Sequence, residues 1–397
     1  MKLLIVDPNV SSTSPSMKGV VHALPQLRAA GFEIELWCWD CDADVVAARI
    51  VRLPRFGRMR TLAPFAFTFW ARLRRWWRYD VHKESCPDVT YTIAWYLPKC
   101  DVCHVHFSPW DWQRRQHDLG VHSLRDLYEA TTGVLGRWLA SRFMRKTTAR
   151  TIVAVSQAVA DDLREVAPGI NASIRVLPNS YDATRFHPGV SAVWRSLTRA
   201  MLGYVAAECV FIFVSTGHYR RKGFFLAASA VASLRARSLP VRFLVVGGRE
   251  SRLQELQSRL DEMHPDWREW ITFTGNVPDV ERYFAAADGL LFPSYSEAFA
   301  LVEIEAAACG LPLFLTHHHG SEMILEDGVN GRWLEFDSEK IADVLAEFVS
   351  GEWKPSVGSK SNALDTEAYA WRFIEELKLA ALPSAAGITW TPAVPIS

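Results

Sequence analysis

The chain has 397 residues, 49% of them hydrophobic and 22% charged, a length that predicts two domains rather than one ordinary core. The apolar content, with 16 Trp, 10 Tyr and 21 Phe, excludes a disordered chain. The 44 basic and 44 acidic side chains cancel to zero net charge, which argues against a general nucleic-acid binder.

The zero net charge hides two halves of opposite sign. Residues 1–180 contain 24 basic and 17 acidic side chains, whereas residues 181–397 contain 20 basic and 27 acidic ones. Such a charge asymmetry gives information about binding partners rather than about the fold. We therefore expect the first half to face a membrane or an anionic acceptor, and the second half to be kept away from it.

The location of the protein is predicted from hydropathy and cysteine usage. No run of 18 apolar residues occurs, so no membrane-spanning helix is predicted. The apolar run at residues 3–6 is too short for a signal peptide and is predicted to be a buried first strand. Seven cysteines fit a reducing compartment, and we expect a cytoplasmic location.

Short apolar runs alternate with longer helical patterns along the chain. The predicted strands are 3–6, 33–37, 89–95, 102–107, 151–155, 173–177, 210–215, 241–246, 271–274, 289–292 and 312–315. They lack polar alternation, as expected of parallel strands covered by helices on both faces. Predicted helices span 17–30, 122–147, 156–166, 191–201, 222–237, 250–263, 301–309 and 338–350. Two strand–helix series predict an α/β fold with two doubly wound, Rossmann-like domains facing each other across a cleft.

Turn-forming residues mark the boundary between these domains. Pro178-Asn179-Ser180-Tyr181-Asp182 predicts one turn and Phe186-His187-Pro188-Gly189 another. We predict a first domain at 1–185, a second at 186–365, a C-terminal helix at 366–380 and a loose tail at 381–397. The cleft between the domains is the expected ligand site.

The densest chemical signal lies in the segment 294–312. Glu297 stands in a loop of small and polar residues, and Glu305 is predicted about one turn inside the following helix. The free backbone N–H groups that would form an anion-binding corner at the helix start are those near Phe299, Ala300 and Leu301. Two carboxylates beside that corner suit a ligand with hydroxyl groups and phosphates. Alternatively, Glu297 caps the helix and Glu305 lies on the surface.

The segment Glu297-x7-Glu305-Ala306, with Gly310-x-Pro312 behind it, resembles the E-x7-E motif of the retaining glycosyltransferases of family 4 (group 1), which have the GT-B fold. Other segments that resemble family motifs, in the family's order, are Val155-Ser156, Pro178-Asn179-Ser180-Tyr181-Asp182, Phe186-x-Pro188, Gly217-x4-Lys222-Gly223, Gly275-Asn276-Val277, Asp288, Thr316-x3-Gly320-x-Glu322 and Asp327-Gly328-x-Asn330-Gly331. The matches cover roughly residues 150–350, whereas the first 150 residues match weakly.

The resemblance implies a nucleoside-diphosphate sugar donor bound by the second domain and an acceptor bound by the first. It implies that Glu297 contacts the donor sugar and that Glu305 binds the ribose hydroxyl groups. The other donor-binding positions that it implies are Phe299, Ala300, Leu301, Gly217, Asn276 and Val277. Since basic residues and helix dipoles stabilise the leaving diphosphate in this family, neither a metal nor a cofactor is implied.

A cationic pair follows the first predicted strand of the second domain. By resemblance, Arg221 and Lys222 neutralise the diphosphate and belong with Glu297 to the catalytic residues. The loop 217–223 is one residue shorter than the family pattern, so Arg220 remains the alternative to Arg221. A solvated helix start is the other interpretation of these arginines.

The N-terminal half supplies candidates for the acceptor side. The polar loop 9–19 is interpreted as an acceptor-side loop with Ser16, Lys18 and Gly19 as its candidate residues, Gly19 being suited to close approach to a ligand. A connecting loop with a helix cap at Ser16 is the alternative. At the end of the strand 102–107, His106 is a catalytic candidate, because relatives place a histidine near the donor sugar there. His104 shares its face of the strand, and both could instead be buried, hydrogen-bonded histidines.

Two patterns have metal-like residue types, but no metal site is predicted. The pairs with zinc-ribbon spacing are Cys38-x2-Cys41 and Cys100-x2-Cys103. Each pair sits at a predicted strand, so ordinary thiols are preferred over zinc ligands. The run His317-His318-His319 cannot direct all its rings at one ion from a regular element.

Residues 46–79 contain nine Arg and no acidic residue, interleaved with aromatic side chains. On a surface helix this pattern suits an anionic membrane, where rings enter the headgroup region and guanidinium groups meet phosphates. The predicted membrane patch consists of Arg72, Arg74, Arg75, Trp76, Trp77 and Arg78. The alternatives are a helix that packs its Trp residues inside the domain, and RNA binding, for which no motif is present.

The resemblance and these features together predict a retaining glycosyltransferase at the inner face of the cell membrane. The expected acceptor is a hydroxyl group of a glycan or lipid-linked glycan, as in the synthesis of cell-surface polysaccharide or lipopolysaccharide, and nucleic acid is not expected as a partner. The alternatives are a sugar-nucleotide epimerase of the same fold and a catalytically silent membrane-docking subunit.

Overall fold

The computed structural model describes residues 1–43, 45, 47, 49–55, 63–94, 96–119, 134, 136–138, 140–356 and 363–382. Within these residues the chain forms two large parallel sheets, each carried by its own half of the sequence, and two short two-stranded pairings, Asn9–Val10 with Asp40–Cys41 and Ser180–Tyr181 with Leu364–Asp365. The expectation of an α/β fold with two Rossmann-like sheets is confirmed.

The first sheet has seven strands. They are β1 (Lys2–Val6), β2 (Glu33–Cys38), β3 (Arg49–Arg52), β4 (Val89–Ile93), β5 (Val102–Val105), β6 (Thr151–Ala154) and β7 (Ser173–Val176). Their spatial order is β3-β2-β1-β4-β5-β6-β7, and each pairing is parallel. The strand order reverses between β1 and β4, which opens a crevice at the carboxyl ends of these strands.

The second sheet has six strands in the same type of order. They are β8 (Cys209–Val214), β9 (Val241–Val246), β10 (Ile271–Phe273), β11 (Gly289–Phe292), β12 (Leu313–Thr316) and β13 (Gly331–Leu334). They are arranged β10-β9-β8-β11-β12-β13. The loops that follow β8, β11 and β12 therefore meet at one edge, and these loops carry Lys222, Glu297 and His318.

Helices cover the sheets. Those with described bounds are α1 (Lys18–Ala29), α2 (Ala63–Arg75), α3 (Pro109–Leu119), α4 (Gln157–Val166), α5 (Val190–Leu202), α6 (Phe224–Ala236), α7 (Glu250–Met263), α8 (Val280–Ala286), α9 (Leu301–Ala308), α10 (Ser338–Ser350) and α11 (Thr366–Ala381). A π-helical turn, Trp76–Val81, continues α2. Most of the helix predicted at 122–147 lies outside the described residues, although 140–144 are helical.

The sequence prediction missed several short or polar elements. Strand β3 lies at the sheet edge and reads Arg-Ile-Val-Arg, so its flanking charges hide its extended conformation. Helix α8 has only seven residues, too few to display a helical period. The strand predicted at 89–95 ends at Ile93, because Ala94 adopts a left-handed backbone with a φ of 50°.

Helix α11 returns from the second half of the chain to the first sheet. Its buried residues Tyr369, Phe373 and Leu377 join the hydrophobic cluster that also contains β1 and α1. The carboxylate of Asp365 caps the helix by accepting a 2.7 Å hydrogen bond from the Ala368 N–H. The exact limits of the domains stay a prediction, and the loose tail predicted at 381–397 falls mostly outside the described residues.

The cysteines are unpaired thiols. Burial raises the pKa of Cys38 to about 12, with Cys41 beside it adding to the effect. Among the residues that the structure describes, no group of three His, Cys, Asp or Glu side chains could hold a metal ion. In the same part of the chain, every helix is too short or too polar to cross a lipid bilayer.

Candidate active site

Glu297 lies partly buried in the loop between β11 and α9. Its Oε1 is 3.4 Å from Nζ of Lys222 and accepts a 3.3 Å hydrogen bond from the Ser294 hydroxyl. Burial opposes ionisation of Glu297, but the charges of Lys222, Arg221 and His318 outweigh it and lower its pKa. The carboxylate is therefore ionised and held by cations. It does not cap α9, whose N-cap residue is Ala300.

Two interlocked loops bring the cations to Glu297. Gly223, with a φ of 75°, precedes α6, and a Cβ at this position would lie 2.0 Å from the Pro293 carbonyl oxygen. Only glycine allows this contact between the loops after β8 and β11. The Tyr295 N–H donates a 2.8 Å bond to the Arg221 carbonyl and joins the same two loops.

Arg221 lies close to Glu297. Its charge contributes to the lowered pKa of Glu297, and its guanidinium group lies 5.6 Å from the ring centre of Trp112 on α3. Among the described residues, the buried Arg221 Nε has no hydrogen-bond partner. A side chain with this spare donor, placed between the two halves of the chain, is ready to meet an anion.

Glu305 lies on α9 and is also buried, so the alternative of a surface position is wrong. Its Oε1 is 2.8 Å from Nζ of Lys18, at the start of α1. Burial raises the pKa of Glu305, and the Lys18 ammonium only partly offsets this effect. Lys18, a residue of the predicted acceptor-side loop, therefore reaches across the cleft to a predicted donor-binding residue.

The N-terminus of α9 carries no side-chain cap. Phe299 and Ala300 are buried there, and Leu301 is half-buried. The Phe299 carbonyl accepts a 3.1 Å bond from the Asn179 side chain, which comes from the first half of the chain. An uncapped helix start beside two cations offers the amide groups and positive potential that a diphosphate requires.

The other predicted donor positions line the loops after β8 and β10. A Cβ at Gly217 would meet no atom within 4 Å, so open space lies beside it. The Asn276 side chain accepts a 2.7 Å bond from the Gly248 N–H and holds two neighbouring loops together. Val277 packs partly buried against the core of the second sheet.

The two histidines of β5 and its extension differ in surroundings. His104 Nδ1 is 2.8 Å from the Tyr91 hydroxyl, deep in the first sheet. His106 lies beside Asn179, the residue that reaches Phe299. Burial lowers the pKa of His106 to about 3, so its ring is neutral at physiological pH. His106 is therefore a neutral hydrogen-bonding group beside Asn179.

Ser16 and Gly19, near the start of α1, contact neighbouring residues of the fold. Helix α1 starts at Lys18 after Met17, which makes no side-chain cap, so the alternative of a cap at Ser16 is wrong. The Ser16 hydroxyl instead lies 3.3 Å from that of Ser14. A Cβ at Gly19 would lie 2.9 Å from Tyr369, so Gly19 allows α1 to approach helix α11 closely, and its predicted contact with a ligand stays a prediction.

A polar network across the cleft was not predicted. Asp111 on α3 accepts a 2.6 Å bond from the Ser296 hydroxyl, next to Glu297. The His319 ring lies 3.7 Å from Asp111 through Nδ1 and 3.7 Å from Asp162 through Nε2. No local sequence signal identifies these contacts, because the carboxylates and the histidine belong to different halves of the chain.

The residues of the predicted membrane patch fall into two groups, those exposed to solvent and those that contact other residues of their own domain. Trp76 and Trp77 are exposed by 53% and 51%, and Arg72 is exposed beside them. Arg78, in contrast, forms ion pairs with Glu35 (2.5 Å) and Glu84. The guanidinium groups of Arg74 and Arg75 pack over rings of their own domain, those of Trp37 and Tyr79. These three arginines therefore serve the fold, and the exposed part of the patch is mostly aromatic.

The solved structures similar to this chain show its fold. WaaG, a glycosyltransferase involved in lipopolysaccharide biosynthesis, superimposes with a TM-score of 0.66 at 16% identity over 96% of this chain and 95% of WaaG. Anabaena HepE in complex with UDP-glucose gives 0.67 at 19% identity, over 96% of this chain and all of HepE. The two facing Rossmann-like sheets thus form the GT-B fold of glycosyltransferases.

The sequence comparisons identify the family. Residues 208–350 match the model described as Glycosyl transferases group 1, and residues 18–185 match Glycosyltransferase Family 4. The D-inositol 3-phosphate glycosyltransferase of Corynebacterium jeikeium is 32% identical over 247 residues, 57% of each chain. The chain spans about half the length of the curated relatives it matches. It belongs to the group 1, or family 4, glycosyltransferases.

Proposed function

We propose that this protein transfers a sugar from a nucleoside-diphosphate donor to an acceptor hydroxyl group with retention of the anomeric configuration. The observation that carries the proposal is the partly buried pair of Lys222 and Glu297 beside the uncapped start of α9. Cations and free amides suit the diphosphate, and a partly buried carboxylate suits the hydroxyl groups of a sugar. Glu305, near the other end of α9, suits the ribose hydroxyl groups.

The chemistry is a displacement at the anomeric carbon of the donor sugar. The bond from this carbon to the phosphate oxygen breaks, and a bond to the acceptor oxygen forms on the same face. The acceptor proton passes to the departing phosphate oxygen. Lys222 and Arg221 stabilise the charge that develops on the diphosphate. His106, which is neutral, hydrogen-bonds the donor sugar, while closure of the cleft aligns the reactants.

The acceptor is a hydroxyl group of a glycan or a lipid-linked glycan, and the protein docks on an anionic membrane surface. Support comes from Trp76 and Trp77 at the end of α2, which are half exposed, and from the exposed Arg72 beside them. Large aromatic side chains at an interface place their rings among lipid headgroups. The enzyme would then meet a lipid-linked acceptor at the cytoplasmic leaflet.

The test is sugar transfer by Glu305→Ala and Lys222→Ala variants, with donors and acceptors chosen by a thermal-shift screen that includes UDP-glucose and inositol phosphate. We expect each variant to lose transfer by at least about 100-fold, since each removes a charged contact to the donor. Lys340→Ala is the matched control, because Lys340 is exposed and pairs with Glu335 rather than with a predicted site residue. Transfer by both site variants at the wild-type rate would overturn the assignment. Sugar inversion without any acceptor would instead indicate an epimerase.

A further inference from the structure

A buried ion pair, formed by Glu303 and His318, lies near Glu297. Nε2 of His318 is 2.5 Å from Oε1 of Glu303, and both side chains are fully buried. Glu303 belongs to the first turn of α9, where the helix dipole favours a carboxylate. His318 follows β12, and the Ser321 hydroxyl holds its loop by bonding both the N–H and the carbonyl of His318.

Burial of the Glu303–His318 pair carries a desolvation penalty that lowers the stability of the fold. Besides their mutual contact, Glu303 Oε2 and His318 Nδ1 are buried with no hydrogen-bond partner among the described residues. Apolar side chains of similar size often stabilise a fold as well as a buried ion pair does, or better. A buried charged pair beside the candidate donor site therefore suggests a role in that site.

The charges around the pair indicate that role. The charged groups that act on the pair are Lys222, Glu297 and Glu322, and Arg221 acts on Glu297 beside them. Burial lowers the pKa of His318, but the Glu303 and Glu297 carboxylates outweigh it and raise the pKa above its usual value. The raised pKa favours the imidazolium form of His318, which then adds a third positive charge to those of Lys222 and Arg221 around Glu297.

We propose that His318, kept charged by Glu303, is a positioning residue that holds Glu297 ionised for the donor sugar once the diphosphate has drawn Lys222 away. The inference rests on the proposed donor site. Without ligand, Lys222 lies 3.4 Å from Glu297. A bound diphosphate competes for this ammonium group. The negative charge of the partly buried Glu297 would then be offset by one positive charge fewer. The imidazolium behind it is held by Glu303 and stays in place.

The experiment measures binding of UDP-glucose and of free UDP by calorimetry between pH 5 and pH 8. The variant is Glu303→Gln with His318→Gln, which replaces the ion pair by two neutral amides and leaves no single charge buried. We expect the variant to bind UDP-glucose up to about threefold more weakly at pH 5, because a rise of about one unit in the lowered pKa of Glu297 reduces its ionisation only at the acidic end of this range. Binding of UDP, which lacks the sugar, should be the same in variant and wild type within the error of the titration. The variant should match the wild type for both ligands at pH 8.

The control variant is His264→Gln, since His264 bonds Ser229 away from the site. It should leave both binding curves unchanged. If the double variant does not fold by circular dichroism, Glu303→Gln alone carries the test, because His318 then loses the anion that keeps it charged. Equal pH dependence of UDP-glucose binding in variant and wild type would overturn the inference but leave the proposed function intact. A wild type that binds none of the nucleoside diphosphates and nucleotide sugars of the donor screen would overturn both.

Discussion

Nζ of Lys18 lies 2.8 Å from Oε1 of Glu305, although 287 residues separate them in the chain. Lys18 begins the first helix of the first half, and Glu305 lies on the helix of the predicted donor site. Both side chains are mostly buried, so the contact joins the two halves across the cleft without much screening by water. A ribose that binds Glu305 must share this carboxylate with Lys18 or displace it.

The Lys18–Glu305 contact predicts a pH-dependent loss of stability when the lysine is removed. In Lys18→Met, the buried Glu305 carboxylate loses its counter-charge, so its raised pKa rises further. An acid with a raised pKa destabilises the folded state as pH increases, so the loss should be larger at pH 8 than at pH 5. In a double-mutant cycle with Glu305→Gln, we expect a coupling of about 1–3 kcal/mol from urea unfolding at pH 8. Additive effects of the two substitutions would contradict a paired contact.

Arg221 and Arg220 should differ in their effect on the donor. Arg221→Ala removes a charge that acts on Glu297 and a spare donor in the cleft, so we expect donor affinity to fall about 10- to 100-fold. Arg220→Ala is the matched control and should change affinity by less than about threefold. Titration of each variant with the nucleotide sugar gives the comparison. A larger loss in the Arg220 variant would reverse the assignment.

Membrane binding should depend on the exposed tryptophans rather than on most arginines of the patch. Trp76→Ser with Trp77→Ser should abolish sedimentation with vesicles of anionic phospholipid, because two exposed rings are removed. Trp371→Ser is the control, since Trp371 is equally exposed on α11. Arg78→Gln should lower stability instead, because Arg78 holds Glu35 and Glu84. Undiminished sedimentation of the double Trp variant would rule out this surface.

Asp7, directly after β1, should make stability depend on pH. Burial raises the pKa of Asp7 from its ordinary 3.8 to about 7, although the Asn9 N–H donates a 2.8 Å bond to it. Ionisation therefore destabilises the folded state increasingly between pH 4 and pH 7. Asp7→Asn should match the wild type near pH 4 and exceed its unfolding free energy by about 4 kcal/mol at pH 8. The gain is measured by urea unfolding at both pH values.

A control of opposite sign is available for the Asp7 prediction. Hydrogen bonds from Ser12 and Ser11 lower the pKa of Asp42, so its ionised form favours the folded state. Asp42→Asn should therefore lose stability at pH 8 and approach the wild type as pH falls below the ordinary pKa of an aspartate. A stability difference for Asp7→Asn that stays constant from pH 4 to pH 8 would show that burial does not control its titration.

The donor side of the cleft could be predicted from sequence because its signals are local. Glu297 and Glu305 flank one helix start, and the strand before it and the glycine after it are read directly from neighbouring residues. The cation pair likewise lies within one loop beside Gly223. The choice between Arg220 and Arg221 was not decided locally, because it depends on how that loop packs against the segment after β11.

The contact between Glu303 and His318 could not be predicted from sequence motifs. Glu303 lies inside the recognised motif segment, yet the motif assigns nothing to it, and His318 was considered only as a possible metal ligand. Fifteen residues separate the two, with a strand between them. The two side chains come into contact because β12 pairs with β11 in the sheet, and the sequence alone does not show this pairing.

The amino-acid sequence by itself determined the two Rossmann-like sheets and the donor-side motif, because hydrophobic periodicity and short-range spacing control helices, strands and the loops between them. The tertiary structure decided the partners of the charged residues. Lys18 turned out to hold Glu305, Gly19 to pack on Tyr369, and Arg78 to hold Glu35 and Glu84 rather than lipid. Such pairings depend on distances across the folded chain, because burial and charge act through space and not along the sequence.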